Sequence, residues 1–140
     1  MVCFDTDFLI AYLQGDPDAI KKLQELQTAT TDYNEENRDN DSSAITTTIN
    51  AAELWKGVYR SSAKDSDIVK VKRLLDSLEL ITLDYESARM VGELDATIKS
   101  SPIGEADLLI ASIALTNKQL LITRNKKHFE RIPGLKVQGW

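Results

Sequence analysis

Apolar and polar positions along this chain fall into blocks, and the length and period of each block predict its element. Residues 2–4 form a short unbroken apolar run that stops at Asp5, the pattern of a buried strand. Residues 8–13 suit a first helix. A second is predicted over 17–27, with Asp16 as N-cap, Pro17 in the first turn, and Leu23 and Leu26 turned inward. The character then changes: residues 28–43 are rich in Asn, Asp, Glu and Thr and hold almost nothing that could be buried. That stretch is expected to be a polar loop or a disordered insertion.

The blocks resume at 44–47, a second strand, followed by a helix to about residue 60 that Thr48 or Asn50 is placed to cap. Ile68, Val71, Leu74, Leu75 and Leu78 give residues 64–78 the i, i+3, i+4, i+7 spacing of an amphipathic helix. Residues 80–83 read as a strand, and Asp84 as the cap of a helix with Ala88, Val91, Leu94 and Ile98 on its inner face. Pro102 precedes a nearly all-apolar helix that ends near Asn117 and should be deeply buried. Residues 120–123 and 135–137 are the last strands. Strands alternating with helices predict an α/β protein with a mainly parallel sheet, and neither an internal repeat nor a second domain is visible.

Size and composition narrow the function. A chain of 140 residues is one ordinary domain, long enough for a real core. The single Cys3 excludes an internal disulfide and is compatible with a reducing cytoplasm. No basic start leads into an apolar run, and no apolar stretch approaches the roughly 20 residues of a membrane span, so neither secretion nor membrane insertion is expected. A net charge of −5 argues against broad, non-specific nucleic-acid binding. Yet Arg124, Lys126, Lys127, His128 and Arg131 crowd around Asn125. They form either a cationic rim suited to phosphate or an ordinary solvated loop, with His128 a surface residue or phosphate contact.

Four polar residues at the edge or in the middle of apolar stretches carry the chemistry: Asp5, Glu53, Asp107 and Asn125. An isolated carboxylate near a core costs several kcal/mol, so it needs a compensating partner. Oxygen-bearing side chains gathered by folding are what a hard cation such as Mg²⁺ takes. In an open parallel sheet, ligands bind beyond the carboxyl ends of the strands. Asp5 ends the first strand, Asn125 follows the strand at 120–123, Glu53 lies on the helix after the second strand, and Asp107 sits in the first turns of its own helix. One crevice can hold all four. Each also has a plainer explanation: Asp5 as a helix cap, Glu53 on a solvated face, Asn125 as a turn residue. Asp107 inside so apolar a helix is the hardest to explain that way. Glu105, two residues before it, is turned away by about 200° unless it bends in from the frayed helix start. Trp55 and Trp140 fit packing or interface roles.

At these residues the chain resembles the PIN-domain ribonucleases, most closely the VapC-type toxins of prokaryotic toxin–antitoxin pairs. The likeness is carried by four segments: residues 1–10 with Asp5-Thr6-Asp7, residues 48–57 with Asn50-Ala51-Ala52-Glu53, residues 102–112 with Gly104-Glu105-Ala106-Asp107, and residues 122–135 with Thr123-Arg124-Asn125-Lys126-Lys127-His128. Their order and spacing match from end to end. The resemblance implies one PIN-like nuclease domain over residues 1–140, with about five parallel strands between helices. It makes Asp5, Glu53 and Asp107 an acidic triad for Mg²⁺ or Mn²⁺, assisted by Asn125, where the family places a fourth acidic or amide residue. Thr6, Asn50 and Thr123 become supporting positions beside Glu105, and Arg124, Lys126 and Lys127 candidate phosphate contacts. The implied activity is endoribonuclease cleavage of RNA in the cytoplasm, by a homodimer with a cognate antitoxin.

Two alternatives stand beside it. Phe4-Asp5-Thr6-Asp7 is an Asp-x-Asp after a strand, as in phosphohydrolases of the haloacid dehalogenase type, but the late acidic pair of that class is missing here. A catalytically silent PIN-like RNA-binding or scaffold module is the non-enzyme reading, against which all three acids are retained.

Overall fold

Val2–Phe4 forms the central strand of the sheet, and its side chains divide between two cores, which fixes the layering of everything else. A computed structural model describes residues 2–31, 44–62 and 64–140. The elements run β1 (Val2–Phe4), α1 (Thr6–Leu13), α2 (Pro17–Thr31), β2 (Ala44–Thr47), α3 (Thr48–Arg60), α4 (Asp65–Asp76) and β3 (Glu79–Ile81). They continue with α5 (Tyr85–Ile98), α6 (Glu105–Thr116), β4 (Leu120–Ile122), α7 (Lys126–Phe129) and β5 (Val137–Gln138). Among the described residues the strands form one sheet of order β3-β2-β1-β4-β5, every pairing parallel.

Phe4 enters a core with Phe8, Leu9, Leu54, Val71 and Leu75 from the helices α1, α3 and α4. Cys3, on the opposite face, packs with Leu94, Ile98, Leu108, Ile110, Ala111 and Phe129 from α5, α6 and α7. Helices on both faces leave β1 no solvated side, which is why its sequence is an apolar run rather than an alternation. Helix α6 is the most deeply set, with Leu108 and residues 110–114 all buried. Each fully buried Leu or Ile there contributes roughly 1.5–3 kcal/mol.

The chain leaves β1 toward β2 and β3 on one side, then returns to β4 and β5 on the other. Strand order therefore reverses between β1 and β4, and a crevice opens at their carboxyl ends. The register pairs Phe4 with Ile122, so Asp5 and Thr123 leave the sheet side by side.

Several sequence expectations shift. Helix α1 begins at Thr6, not residue 8, because Asp5 already caps it through the Thr6 N–H. Helix α2 runs to Thr31, so residues 28–31 continue a helix where a polar loop was expected; Thr28 returns its hydroxyl to the carbonyls of Gln24 and Glu25. The rest of that expectation, 32–43, lies outside the described residues. The cap of α3 is Thr47 rather than Thr48 or Asn50. Thr47 accepts from the Asn50 N–H while Asn50 accepts from the Thr47 N–H, a reciprocal capping box. Ser87, not Ala88, takes the inner face of α5, held by the Asp84 cap that the sequence does predict. The strands β3 and β5 are displaced to Glu79–Ile81 and Val137–Gln138, and the single turn α7 was not anticipated.

Candidate active site

Asp5 is 6% exposed, and the protein surrounds its carboxylate with neutral donors. Oδ1 accepts from the Thr6 N–H and from Asn50 Nδ2, both at 2.9 Å, and Oδ2 accepts from the Thr123 hydroxyl at 2.7 Å. These bonds favour the ionised form, but burial outweighs them. Burial, reinforced by the neighbouring charges of Asp7 and Asp107, pushes the Asp5 carboxyl up from 3.8 to about 6. No Lys or Arg contacts it among the described residues.

Glu53 joins Asp5 through a relay. The capping box turns the Asn50 amide oxygen onto Thr47, so its nitrogen points the other way, to Asp5 and at 3.0 Å to the Thr6 hydroxyl. Thr6 in turn donates to Glu53 Oε1 at 2.9 Å. A local cap on α3 thus orients two acids from different elements.

Asp107 is reached from the other side. Thr123 Oγ1 accepts from the Asn125 N–H at 3.0 Å, and Asn125 Nδ2 lies 3.4 Å from Asp107 Oδ2. His128 Nδ1 stands 3.2 Å from the same oxygen. One hydrogen-bonded network therefore links Glu53, Thr6, Asn50, Asp5, Thr123, Asn125 and Asp107, and the fold brings together all four candidates named from the sequence. Oε2 of Glu53 and Oδ1 of Asp107 accept no hydrogen bond among the described residues.

The remaining candidates are placed differently. Glu105 is exposed and makes no hydrogen bond among the described residues, consistent with its turn away from Asp107. Lys126 is exposed and pairs with Glu130 at 3.5 Å, and Lys127 is exposed. Arg124 is engaged elsewhere: its guanidinium lies 3.6 Å over the Trp140 ring and 3.3 Å from Asp16. Trp140 also meets Phe8 edge-on, and Trp55 stacks on Tyr59, so both tryptophans have packing roles.

Sequence reasoning missed Asp7 and Thr47 as members of the site, and it took His128 for a surface residue or phosphate contact where the structure sets it against Asp107. Asp7 Oδ2 accepts from the Arg124 N–H at 2.9 Å, fastening the segment after β4 to the start of α1, while its Oδ1 is buried without a partner. The Asp5-Thr6-Asp7 spacing was the available signal for it. The signal for His128 was its i+3 relation to Asn125, which only a helix makes meaningful.

A family model described as "PIN domain" matches residues 2–135. The chain belongs to the PIN-domain family. Its relatives place it in the VapC branch. It is 38% identical over 91 residues to a protein named ribonuclease VapC2 of Rickettsia felis, covering 64% of this chain and 68% of that one. It is 27% identical over 138 residues to one named tRNA(fMet)-specific endonuclease VapC of Salmonella typhimurium, covering 97% and 95%. The crystal structure of VapBC2 from Rickettsia felis bound to a promoter DNA fragment superposes with a TM-score of 0.83 at 28% identity, covering 100% of this chain and 99% of that one. Family membership removes the haloacid dehalogenase alternative, since Asp5-Thr6-Asp7 here opens a PIN fold.

Whether this site suits a divalent ion depends on its donors. Among the described residues no three His, Cys, Asp or Glu side chains gather tightly enough to grip an ion directly. Mg²⁺ does not require that, because it keeps several waters and takes one or two carboxylates. The acids here are all hard oxygen donors. Asp5 is a buried charge without a cation, and Glu53 and Asp107 each have one oxygen tied and one open. Such a set fits a hydrated ion.

Proposed function

We propose that this PIN-domain protein is a Mg²⁺- or Mn²⁺-dependent endoribonuclease that acts as the toxin of a toxin–antitoxin pair. The observation that carries the metal dependence is Asp5, a carboxylate held in place by three neutral donors at a burial cost that a bound cation would offset. The ribonuclease and toxin–antitoxin readings draw on the relatives, which are named as VapC nucleases and crystallised as VapBC complexes.

In this reading Asp5 and Asp107 hold the ion, Glu53 positions water or a second ion, and Asn125 assists. A bound ion supplies Lewis acidity and a more acidic water for in-line attack on phosphorus. Thr6, Asn50 and Thr123 keep the acids in fixed rotamers, so little reorganisation remains when substrate arrives. Lys126 and Lys127 are the cationic rim for the RNA backbone. Arg124 serves more as a brace, given its engagement with Asp16 and Trp140.

The nuclease domain in this reading spans residues 1–140. Its partners are an RNA substrate, a cognate antitoxin and a second copy of the chain, and it works in the cytoplasm. A groove of about 360 Å³, lined by Ile10, Leu13, Leu54, Val58 and Val71, runs up to Glu53 and suits an antitoxin segment that blocks the site. Among the described residues no helix is long and apolar enough to cross a membrane.

The deciding experiment is cleavage of a mixed RNA pool with Mg²⁺ or Mn²⁺, with EDTA and Asp107→Asn as controls. Cleavage lost in both controls supports the reading. The other reading is a catalytically silent binding module. Folded, antitoxin-free protein that neither cleaves RNA nor binds metal would support that module.

A further inference from the structure

His128 is the only histidine of the chain, and the proposed chemistry does not use it. It stands on α7 three residues after Asn125, and its backbone N–H donates to the Asn125 carbonyl oxygen at 3.1 Å. This one turn carries both side chains to the same carboxylate. His128 Nδ1 lies 3.2 Å from Asp107 Oδ2 and 2.8 Å from Asn125 Nδ2.

A neutral ring nitrogen carries either a proton or a lone pair, so Nδ1 cannot serve both neighbours in one state. With the proton on Nδ1, the ring donates to Asp107, and Asn125 must turn its amide oxygen toward the ring. With Nδ1 bare, the ring accepts from the Asn125 amide, whose NH₂ then also faces Asp107 Oδ2 at 3.4 Å. Which end of an amide faces a neighbour follows from such a network rather than from atom positions. The two states present opposite ends of Asn125 to Asp107. A divalent cation held by Asp107 repels an NH₂ and attracts an oxygen.

We propose that His128 is a positioning residue of the metal site. It holds Asp107 through Oδ2, leaves Oδ1 open, and by carrying its proton on Nδ1 turns the Asn125 amide oxygen toward that carboxylate. The lining then becomes all oxygen, which is the set Mg²⁺ and Mn²⁺ take. This deepens the metal-dependent reading and rests on it. Hydrogen-bonded partners of metal-binding carboxylates typically account for 10–100-fold in metal affinity.

Two measurements on the full chain test the assignment without any turnover. The first is Mn²⁺ affinity by calorimetry for the wild type, His128→Ala, His128→Asn and Asp107→Asn. We expect His128→Ala to weaken Mn²⁺ binding about tenfold or more. His128→Asn, which keeps a nitrogen donor near the place of Nδ1, should recover most of that loss. The second is ¹⁵N NMR of the single imidazole in the wild type, which needs no folded variant. Saturating Mg²⁺ should bring the ring to the pattern of a proton on Nδ1. Wild-type binding that Asp107→Asn weakens but His128→Ala does not, with a ring signal blind to Mg²⁺, overturns the role of His128 and leaves the metal site standing. No metal binding by the wild type overturns both.

Discussion

Asn50 Nδ2 lies 2.9 Å from Asp5 Oδ1 while its own amide oxygen accepts from Thr47 across the cap of α3. The amide is thus oriented by a helix start and used by a carboxylate 45 positions earlier. Removing it breaks both functions together. Asn50→Ala should cost about 2–3 kcal/mol, from a lost cap interaction and the buried Thr47 N–H and hydroxyl donors left without their acceptor. Urea denaturation in EDTA reads this directly, and a change below about 0.5 kcal/mol would count against the network.

The pH dependence of the metal-free protein follows from Asp5. Its folded pKa of about 6 lies above the ordinary 3.8, so the folded state binds the proton more tightly than the unfolded one. Stability therefore falls as pH rises from about 4 to about 6, by about 3 kcal/mol, and this contribution is flat on either side. Asp5→Asn should remove the slope and be the more stable protein at pH 7 in EDTA. Denaturation midpoints across pH 4–7.5 test it; a variant less stable than wild type throughout contradicts it.

Metal affinity should carry the same signature with opposite sign. An ion that needs ionised Asp5 competes with its proton, so binding strengthens up to about tenfold per pH unit toward pH 6 and then levels. Calorimetry with Mn²⁺ at several pH values gives the profile. An affinity independent of pH between 5 and 7 would show that Asp5 is not a ligand.

Trp140 braces the site from outside. Its ring lies under Arg124 and against Phe8, while the Arg124 backbone N–H holds Asp7. Trp140→Ala should cost about 1–3 kcal/mol from the lost cation–π and aromatic contacts, before any cavity is counted. Thermal melts of Trp140→Ala and Trp140→Phe separate the ring from the size, the Phe variant losing less.

Lys127 is exposed beside the site, and its role can be told from general charge by salt. Lys127→Ala should weaken RNA binding and reduce the log–log salt slope by about 1 without changing the cleavage position. An unchanged slope would return Lys127 to the solvated surface.

The sequence by itself determined the alternation of strands and helices, the burial of α6, the cap at Asp84 and the four candidate site residues. All of these rest on local periods or on a polar residue interrupting an apolar run, which survive any packing. Tertiary structure decided what no local signal encodes. Thr47 rather than Thr48 caps α3, in a reciprocal box with Asn50 whose amide nitrogen reaches Asp5 just past the end of β1. Asp5 becomes a strained acid only because β1 lies at the centre of the sheet with Thr123 in register beside it. Arg124, a candidate phosphate contact by sequence, is held by Asp16 and Trp140, which lie far from each other along the chain. His128 meets Asp107 because a single turn of helix after β4 lies against α6. Hydrophobic period fixes the elements, but hydrogen-bond partners are a property of their arrangement, and the site is made of those.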